Sequence, residues 1–233
     1  MIEYCRPGLL NRVCYYKLEA MTRFVKFIGE FLKHPRQVGA LAASSPFLAR
    51  KMVQQIDGAT NVVEFGSGTG SVTTEILRNL PENGQLTCFE INAHFCRHLE
   101  AIKDSRMKVI NDDVRNCNRY IDRFDCILSC LPLGIFARSK REQILALSSK
   151  SKTYIQFQYT PFLGPKLRRY FRNVEVKFVP LNFPPAFVYI SRNPRNKPRC
   201  SEGYNARKIK RTFLARKVMQ FLLICANFWG IGK

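Results

Sequence analysis

Apolar and polar positions along this chain fall into two kinds of pattern. Short, nearly continuous apolar runs occupy Val62–Phe65, Leu86–Glu90, Met107–Asp113 and Phe124–Leu133, and their ends carry glycine, acids or proline. Runs of that length, bounded in that way, predict buried strands. Elsewhere the apolar residues recur at helical spacing. Over residues 9–33, Leu10, Cys14, Leu18, Met21, Val25, Ile28 and Leu32 share one face, with Arg12, Glu19, Arg23, Lys26, Glu30 and Lys33 mostly opposite. His34-Pro35 stops that helix, and the serines before Pro46 predict N-caps for a second helix running through Val53. Near the other end, Leu214, Val218, Phe221, Leu222 and Cys225 again line one helical face.

The first apolar run leads into Gly66-Ser67-Gly68-Thr69-Gly70, so it reads as a strand, a turn that only glycines allow, and then a helix. Three alternate glycines let the backbone pass close to a ligand with no Cβ in the way, beside the free N–H groups of the following helix. The spacing Glu-x-Gly-x-Gly-x-Gly differs from the dinucleotide fingerprint and lacks the lysine of a phosphate-binding loop. A small polar ligand with an adenosine end suits it. Glu90 ends the second run at about the twenty-residue offset where a Rossmann-type site places its ribose-binding carboxylate.

Charge narrows the partners. The 233 residues carry 38 Lys or Arg against 17 Asp or Glu, a net +21, which calls for nucleic acid or an anionic membrane surface. The basic residues concentrate toward the ends: seven against three Glu in the first 36 residues, and nine against one Glu between Arg195 and Lys217. The first helix fits two roles, a cover for the sheet edge or a helix lying in a membrane interface. The basic tail, running into an apolar stretch with Trp229, reads as an interfacial anchor. Its rival reading is a nucleic-acid arm, against which the basic part carries only Tyr204 and Phe213 as aromatic residues. Nine cysteines without CxxC spacing predict reduced thiols in a cytosolic compartment, and neither a zinc site nor a disulfide framework. The 46% apolar content suits one packed domain with additions at its ends. No signal peptide is visible, and no apolar run reaches the roughly 18 residues of a membrane span.

The glycine turn resembles motif I of the class I methyltransferases that use S-adenosylmethionine (SAM). A closer resemblance rests on Pro35-Arg36-Gln37-Val38-Gly39-Ala40 and Ser44-Ser45-Pro46-Phe47-Leu48-Ala49 before the turn. Downstream it rests on Phe89-Glu90-Ile91-Asn92, Ser129 to Leu133, Gln156-Phe157-Gln158-Tyr159 and Asn182-Phe183-Pro184-Pro185-Ala186-Phe187-Val188-Tyr189. These segments are similar to bacterial phospholipid N-methyltransferases, the SAM-dependent enzymes that methylate phosphatidylethanolamine. Cys130, where the family usually has Gly, and Asp112, where Gly usually precedes the acid, depart from its pattern.

The resemblance implies a Rossmann-like class I methyltransferase fold, an α/β architecture with a seven-stranded, mostly parallel sheet and helices on both faces. An amphipathic N-terminal helix would occupy residues 1–33, the methyltransferase domain 34–194, and a basic amphipathic C-terminal helix the tail 195–233. It implies SAM as cofactor and S-adenosylhomocysteine as product, held by Ser45, Glu64, Gly66, Ser67, Gly68, Gly70, Glu90, Ile91, Asp113, Val114 and Leu131. Glu90 would accept from the ribose and Asp113 from the adenine amine. The acceptor would lie against Tyr16, His34, Leu131, Pro132, Phe157 and Phe187, with Tyr159 and Ser129 as candidates to receive its proton. No metal is implied.

Such a reaction is an in-line displacement in which the protein's share is mostly positioning. An ethanolamine ammonium must first lose a proton, which desolvation beside a positive sulfonium favours. Aromatic walls such as Tyr159, Phe157 and Phe187 would hold the growing cation. The expected partners are phosphatidylethanolamine and anionic membrane lipids, at the inner face of the membrane on the cytoplasmic side, with no protein partner inferred. One competing reading is an adenine N6-methyltransferase acting on RNA. Those enzymes carry Asn or Asp, then Pro-Pro or Leu-Pro, then an aromatic residue, where this chain has Cys130-Leu131-Pro132-Leu133. The other is a non-catalytic membrane- or RNA-binding protein of the same fold.

Overall fold

The computed structural model describes residues 44–56, 58–182 and 185–199. The helix expected over 9–33, Tyr16, His34 and the tail from residue 200 onward lie outside the described residues. Seven strands form one sheet in the order β3-β2-β1-β4-β5-β7-β6. Strands β1 (Asn61–Phe65), β2 (Gln85–Phe89), β3 (Met107–Ile110), β4 (Cys126–Ser129) and β5 (Thr153–Gln158) are parallel. β7 (Ala186–Pro194) runs antiparallel between β5 and β6 (Phe171–Val179). The expected seven-stranded, mostly parallel sheet is therefore the one observed. The central strands read as continuous apolar runs because both of their faces are covered.

Helices α1 (Pro46–Val53), α2 (Ser71–Asn79) and α3 (Ala93–Glu100) bury Met52, Ile76 and Leu99 against Val62, Leu86, Leu128 and Ile155. On the opposite face a 3-10 helix (Val114–Arg119), α4 (Arg138–Ser148) and α5 (Gly164–Tyr170) enclose Phe65, Phe89, Ile127, Tyr154 and Phe171. Each such fully buried aromatic or aliphatic side chain contributes about 1.5–3 kcal/mol. Strand parity therefore decides which core a residue joins. Phe157 faces α1 and Phe187 faces the α4–α5 side.

The chain reversal at β1 and β4 opens a crevice at the carboxyl ends of the strands, the place where open α/β sheets bind ligands. Helix α1 is pinned to that same edge. The Ser45 hydroxyl caps the helix by accepting from the Leu48 amide at 3.2 Å, and donates to the Leu181 carbonyl at 2.9 Å. Its own amide donates to Asn182 Oδ1 at 2.9 Å. β6, at the sheet edge, exposes Arg172, Asn173 and Glu175, polar positions that discourage pairing with another chain.

Candidate active site

β1 delivers the backbone to the crevice, and the turn that follows takes a path closed to most side chains. Gly66, Gly68 and Gly70 have φ of 75°, 52° and 81°, all in the left-handed region that glycine populates without a steric penalty. A Cβ on Gly66 would lie 2.8 Å from Leu131 Cδ2, whereas a Cβ on Gly68 would meet nothing within 4 Å. Gly66 is thus packed shut on the protein side, and Gly68 borders open space. The Gly66 amide donates to the Phe89 carbonyl at 2.8 Å, joining the turn to the end of β2.

Glu90 closes the turn. Its Oε2 accepts from the Gly68 amide and its Oε1 from the Asn92 amide, both at 2.9 Å. Each oxygen keeps a second lone pair for a hydroxyl donor. Glu64, near the end of the neighbouring β1, is fully buried. Thr73 Oγ1 donates to its Oε2 at 2.6 Å and Cys88 Sγ approaches the same oxygen at 3.5 Å. Glu64 Oε1 and the hydroxyl of Ser67 are buried without a hydrogen-bond partner of good geometry among the described residues. Burial raises the Glu64 pKa, and the neighbouring hydroxyls and thiol offset only part of that rise. An orphaned carboxylate oxygen beside an open glycine turn suits a ligand that brings a positive charge.

Six of the expected cofactor residues, Gly66, Glu90, Ile91, Asp113, Val114 and Leu131, line one cavity of about 110 Å3 together with Phe89, Asp112, Phe136 and Lys140. Asn111 Nδ2 fixes the backbone there, donating to the carbonyls of Glu90 and Ile91 at 2.9 and 3.1 Å. Asp113 caps the 3-10 helix and accepts from Arg115 Nε and Nη2 at 3.0 and 2.9 Å, with Lys140 Nζ 3.5 Å away. The Arg115 hydrogen bonds, with Lys140 adding attraction, hold its carboxyl down at about 2. Asp112 accepts from the Asp113 amide, Asn116 and the Tyr120 hydroxyl. The departure at Asp112 thus has a structural role, tying Tyr120 to the loop after β3. Lys140 also sits 4.7 Å from the Phe136 ring centroid.

The loop after β4 is held by two glutamines of β5. Gln156 Nε2 lies 3.0 Å from the carbonyls of both Ser129 and Leu131, and Gln158 Nε2 lies 2.8 Å from that of Leu131. Gln158 Oε1 accepts from the Gly134 amide at 3.1 Å. Leu131 is therefore fixed where it touches Gly66. On the α1 face, Phe157 and Tyr159 pack edge to face with ring centroids 5.3 Å apart, and Cys130 packs into the same core. Burial raises the Tyr159 pKa to about 12, with the Asn182 side chain hydrogen-bonded to the hydroxyl opposing the rise. Burial also raises the Cys130 thiol, and the carboxylates of Glu64 and Glu90 add to it.

Two expected site residues lie on the other face of the sheet, and a third is tied up at the crevice edge. Ser129 is fully buried in register with Gln156 on the α4–α5 face, where its hydroxyl accepts from the Leu131 amide at 3.4 Å. It is therefore sealed off from any acceptor. Phe187 is 1% exposed on that same face, tilted against Phe178 at 5.1 Å, so it and Phe157 wall different cores. Ser45 has its hydroxyl committed to Leu48 and Leu181. Pro132 is half-buried in the loop behind Leu131. Phe136, Lys140 and Asn182 join the site without having been anticipated. Only their positions just past strand ends hinted at it.

The Methyltransferase domain family model matches residues 62–150, from β1 through the end of α4. The ornithine lipid N-methyltransferase of Singulisphaera acidiphila is 31% identical over 186 residues, covering 74% of this chain and 97% of that protein. A methyltransferase structure from Geobacter sulfurreducens aligns with a TM-score of 0.51 over 71% of this chain and 87% of its own, at 13% identity. The structure of EvdMO1 gives 0.51 over 64% of this chain and 41% of its own, at 18% identity. These two likenesses show the fold alone. Sheet order, glycine turn and strand-end acids define a SAM-dependent methyltransferase of class I. Within that class the chain belongs to the family of the Singulisphaera acidiphila enzyme, related to lipid-headgroup N-methyltransferases.

Proposed function

We propose that this enzyme transfers methyl groups to the primary amine of a membrane lipid headgroup, phosphatidylethanolamine in the first instance. The observation that carries the reading is the aromatic pair Phe157–Tyr159 at the carboxyl end of β5, beside Cys130 and across from the glycine turn. Aromatic faces attract an ammonium and continue to do so as it gains methyl groups. Bound SAM supplies a methyl group on a positively charged sulfur. Glu64 and Ser67 would hold its charged end, Glu90 the ribose, and the cavity beside Asp113 and Lys140 the adenine.

Tyr159 is the residue best placed to orient the acceptor amine. With its pKa near 12 the hydroxyl stays protonated at neutral pH, so its part is to accept a hydrogen bond from the ammonium and steer a departing proton toward water. Asn182, which also holds Ser45, keeps that hydroxyl in place.

RNA adenine is the less favoured acceptor. Leu133 stands where a base-stacking ring would be required, and its side chain is fully buried in the α4 core. The Singulisphaera acidiphila relative favours a second amine lipid, ornithine lipid, whose chemistry the same aromatic walls suit. The test is methyl transfer from labelled SAM to vesicles containing either lipid, with total RNA in parallel and products separated by solvent extraction. Label in the organic phase is expected. Label on RNA alone would overturn the reading.

A further inference from the structure

Large apolar side chains exposed among the described residues are Phe47, Ile91, Tyr120, Ile135, Phe162 and Leu181. Four of these collect at one place. Phe47 is in the first turn of α1, which Ser45 ties to Leu181 and Asn182 in the β6–β7 connection. Ile135 follows β4 in the loop that Gln158 holds through the Gly134 amide, and Phe162 lies in the loop that leaves β5. The parallel strands and the β6–β7 reversal bring all four to the carboxyl edge, around the acceptor half of the crevice.

Charge sets this rim apart. The segments 45–47, 130–137, 159–163 and 180–182 contain no Asp, Glu, Lys or Arg, in a chain whose residues are 24% charged. Basic residues stand directly behind the apolar tips: Arg50 after Phe47, Arg138 after Ile135, Lys166 after Phe162 and Lys177 before Leu181. The opposite, amino edge is mixed in charge: Glu82, Glu100, Asp104, Asp122 and Asp125 stand there among Lys103, Arg106, Arg123, Lys150 and Lys152, with Asp104 paired to Arg106 and Asp125 to Lys152.

We infer that this rim is the surface by which the folded domain docks on an anionic lipid bilayer. Apolar tips backed by cations match a bilayer interface, where the hydrocarbon boundary takes the tips and anionic headgroups meet the cations. Because the apolar tips all stand on the carboxyl edge, a domain docked through them has its crevice facing the lipid. The inference rests on the lipid-acceptor reading for its choice of partner. It assigns the contact to the methyltransferase domain itself, apart from the N-terminal segment and the tail.

The test uses the full chain with its single tryptophan, Trp229, replaced by Phe. One reporter is then installed at a time, Leu181→Trp or Phe162→Trp at the rim and Glu82→Trp at the far edge. Vesicles of phosphatidylglycerol with brominated acyl chains should quench the rim reporters and leave the far-edge reporter unchanged. In the chain with Trp229 intact, Phe162→Asp with Leu181→Asp should weaken vesicle partitioning about tenfold or more, with S-adenosylhomocysteine affinity within about twofold. Rim reporters that stay unquenched on vesicle-bound protein would overturn the inference, because other segments would then hold the membrane. Rim reporters already shielded before lipid is added, by residues 1–43 or by a second copy of the chain, would overturn it as well, as would a failure to bind these vesicles. Quenching without methylation of any lipid would leave the docking surface standing and remove the acceptor assignment. Methylation with unquenched rim reporters would do the reverse.

Discussion

The amide of Gly68 donates to Glu90 Oε2 at 2.9 Å, so the acid that ends β2 holds in place the turn that leaves β1. One carboxylate thus shapes the protein side of the crevice and keeps lone pairs for the ligand side. Replacing Glu90 by Ala should lower S-adenosylhomocysteine affinity by more than tenfold, since hydrogen bonds to a charged group contribute about 1.5–3 kcal/mol each. Glu90→Gln retains one acceptor for the two amides, so it should fall between Ala and the native protein in titration calorimetry. Equal affinities for all three proteins would remove Glu90 from the site.

Gly66 and Gly68 separate backbone strain from ligand space. Gly66→Ala drives a methyl to 2.8 Å from Leu131, so it should lower both melting temperature and SAM affinity. Gly68→Ala meets no protein atom, and its left-handed φ alone should cost about 1 kcal/mol of stability. Its loss of SAM affinity should be out of proportion to that. The pair of variants, compared by thermal melting and calorimetry, locates the ligand on the Gly68 side.

Glu64 makes stability and binding oppose each other. Its pKa is raised in the folded protein above the usual 4.5, so folding favours the protonated form. Stability from this group therefore falls as pH rises from about 4.5 through the raised value, where the folded protein carries a buried charge. Glu64→Gln should raise the melting temperature of the unliganded protein at neutral pH, by about 2–4 °C for each kcal/mol recovered. The same substitution should weaken SAM binding, and it should flatten the rise in SAM affinity with pH that the native carboxyl produces. A gain in stability from Glu64→Gln with unchanged affinity would detach Glu64 from the cofactor.

Gln156 sits with its amide shared among the carbonyls of Ser129, Leu131 and Phe157, and accepts from the Tyr154 hydroxyl at 2.5 Å. Gln156→Leu leaves these buried groups short of partners, at about 1–3 kcal/mol. Gln158→Leu removes a donor to Leu131 and the acceptor of the Gly134 amide, in a less enclosed place. Denaturant unfolding should rank Gln156→Leu as the more damaging. Both should weaken SAM binding through the loss of a fixed Leu131.

Tyr159→Phe keeps the aromatic wall and removes the hydroxyl. Turnover should fall by about 100-fold, the low end of the range for a positioned proton-transfer partner, with SAM affinity nearly unchanged. Native turnover would leave Tyr159 as a wall alone.

Much of this architecture was legible because the central strands are buried on both faces and announce themselves as apolar runs. The glycine turn and Glu90 were readable for the same kind of reason, since few residues tolerate their backbone and offset. β6 was not identified, because its polar and apolar residues mix on a half-exposed edge strand. That Ser129 and Phe187 lie on the opposite face from Phe157 was not legible, because strand parity inverts with a shift of one residue. Nothing local in Gln156, Gln158 or Asn182 marks a tether to residues more than twenty positions away. Lys140 and Phe136 needed the turn of α4 to bring them over Asp113.

The bonds from Ser45 to Leu181 and Asn182 join positions 136 and 137 residues apart. The glycine turn and its acids, by contrast, are complete once β1 to β4 have formed. During synthesis from the N-terminus, the glycine turn and its acids are assembled well before the loop that carries Leu181 and Asn182 leaves the ribosome. A chain stopped short of residue 182 would thus keep the glycine turn and its acids and lose the partners of Ser45 that pin the start of α1.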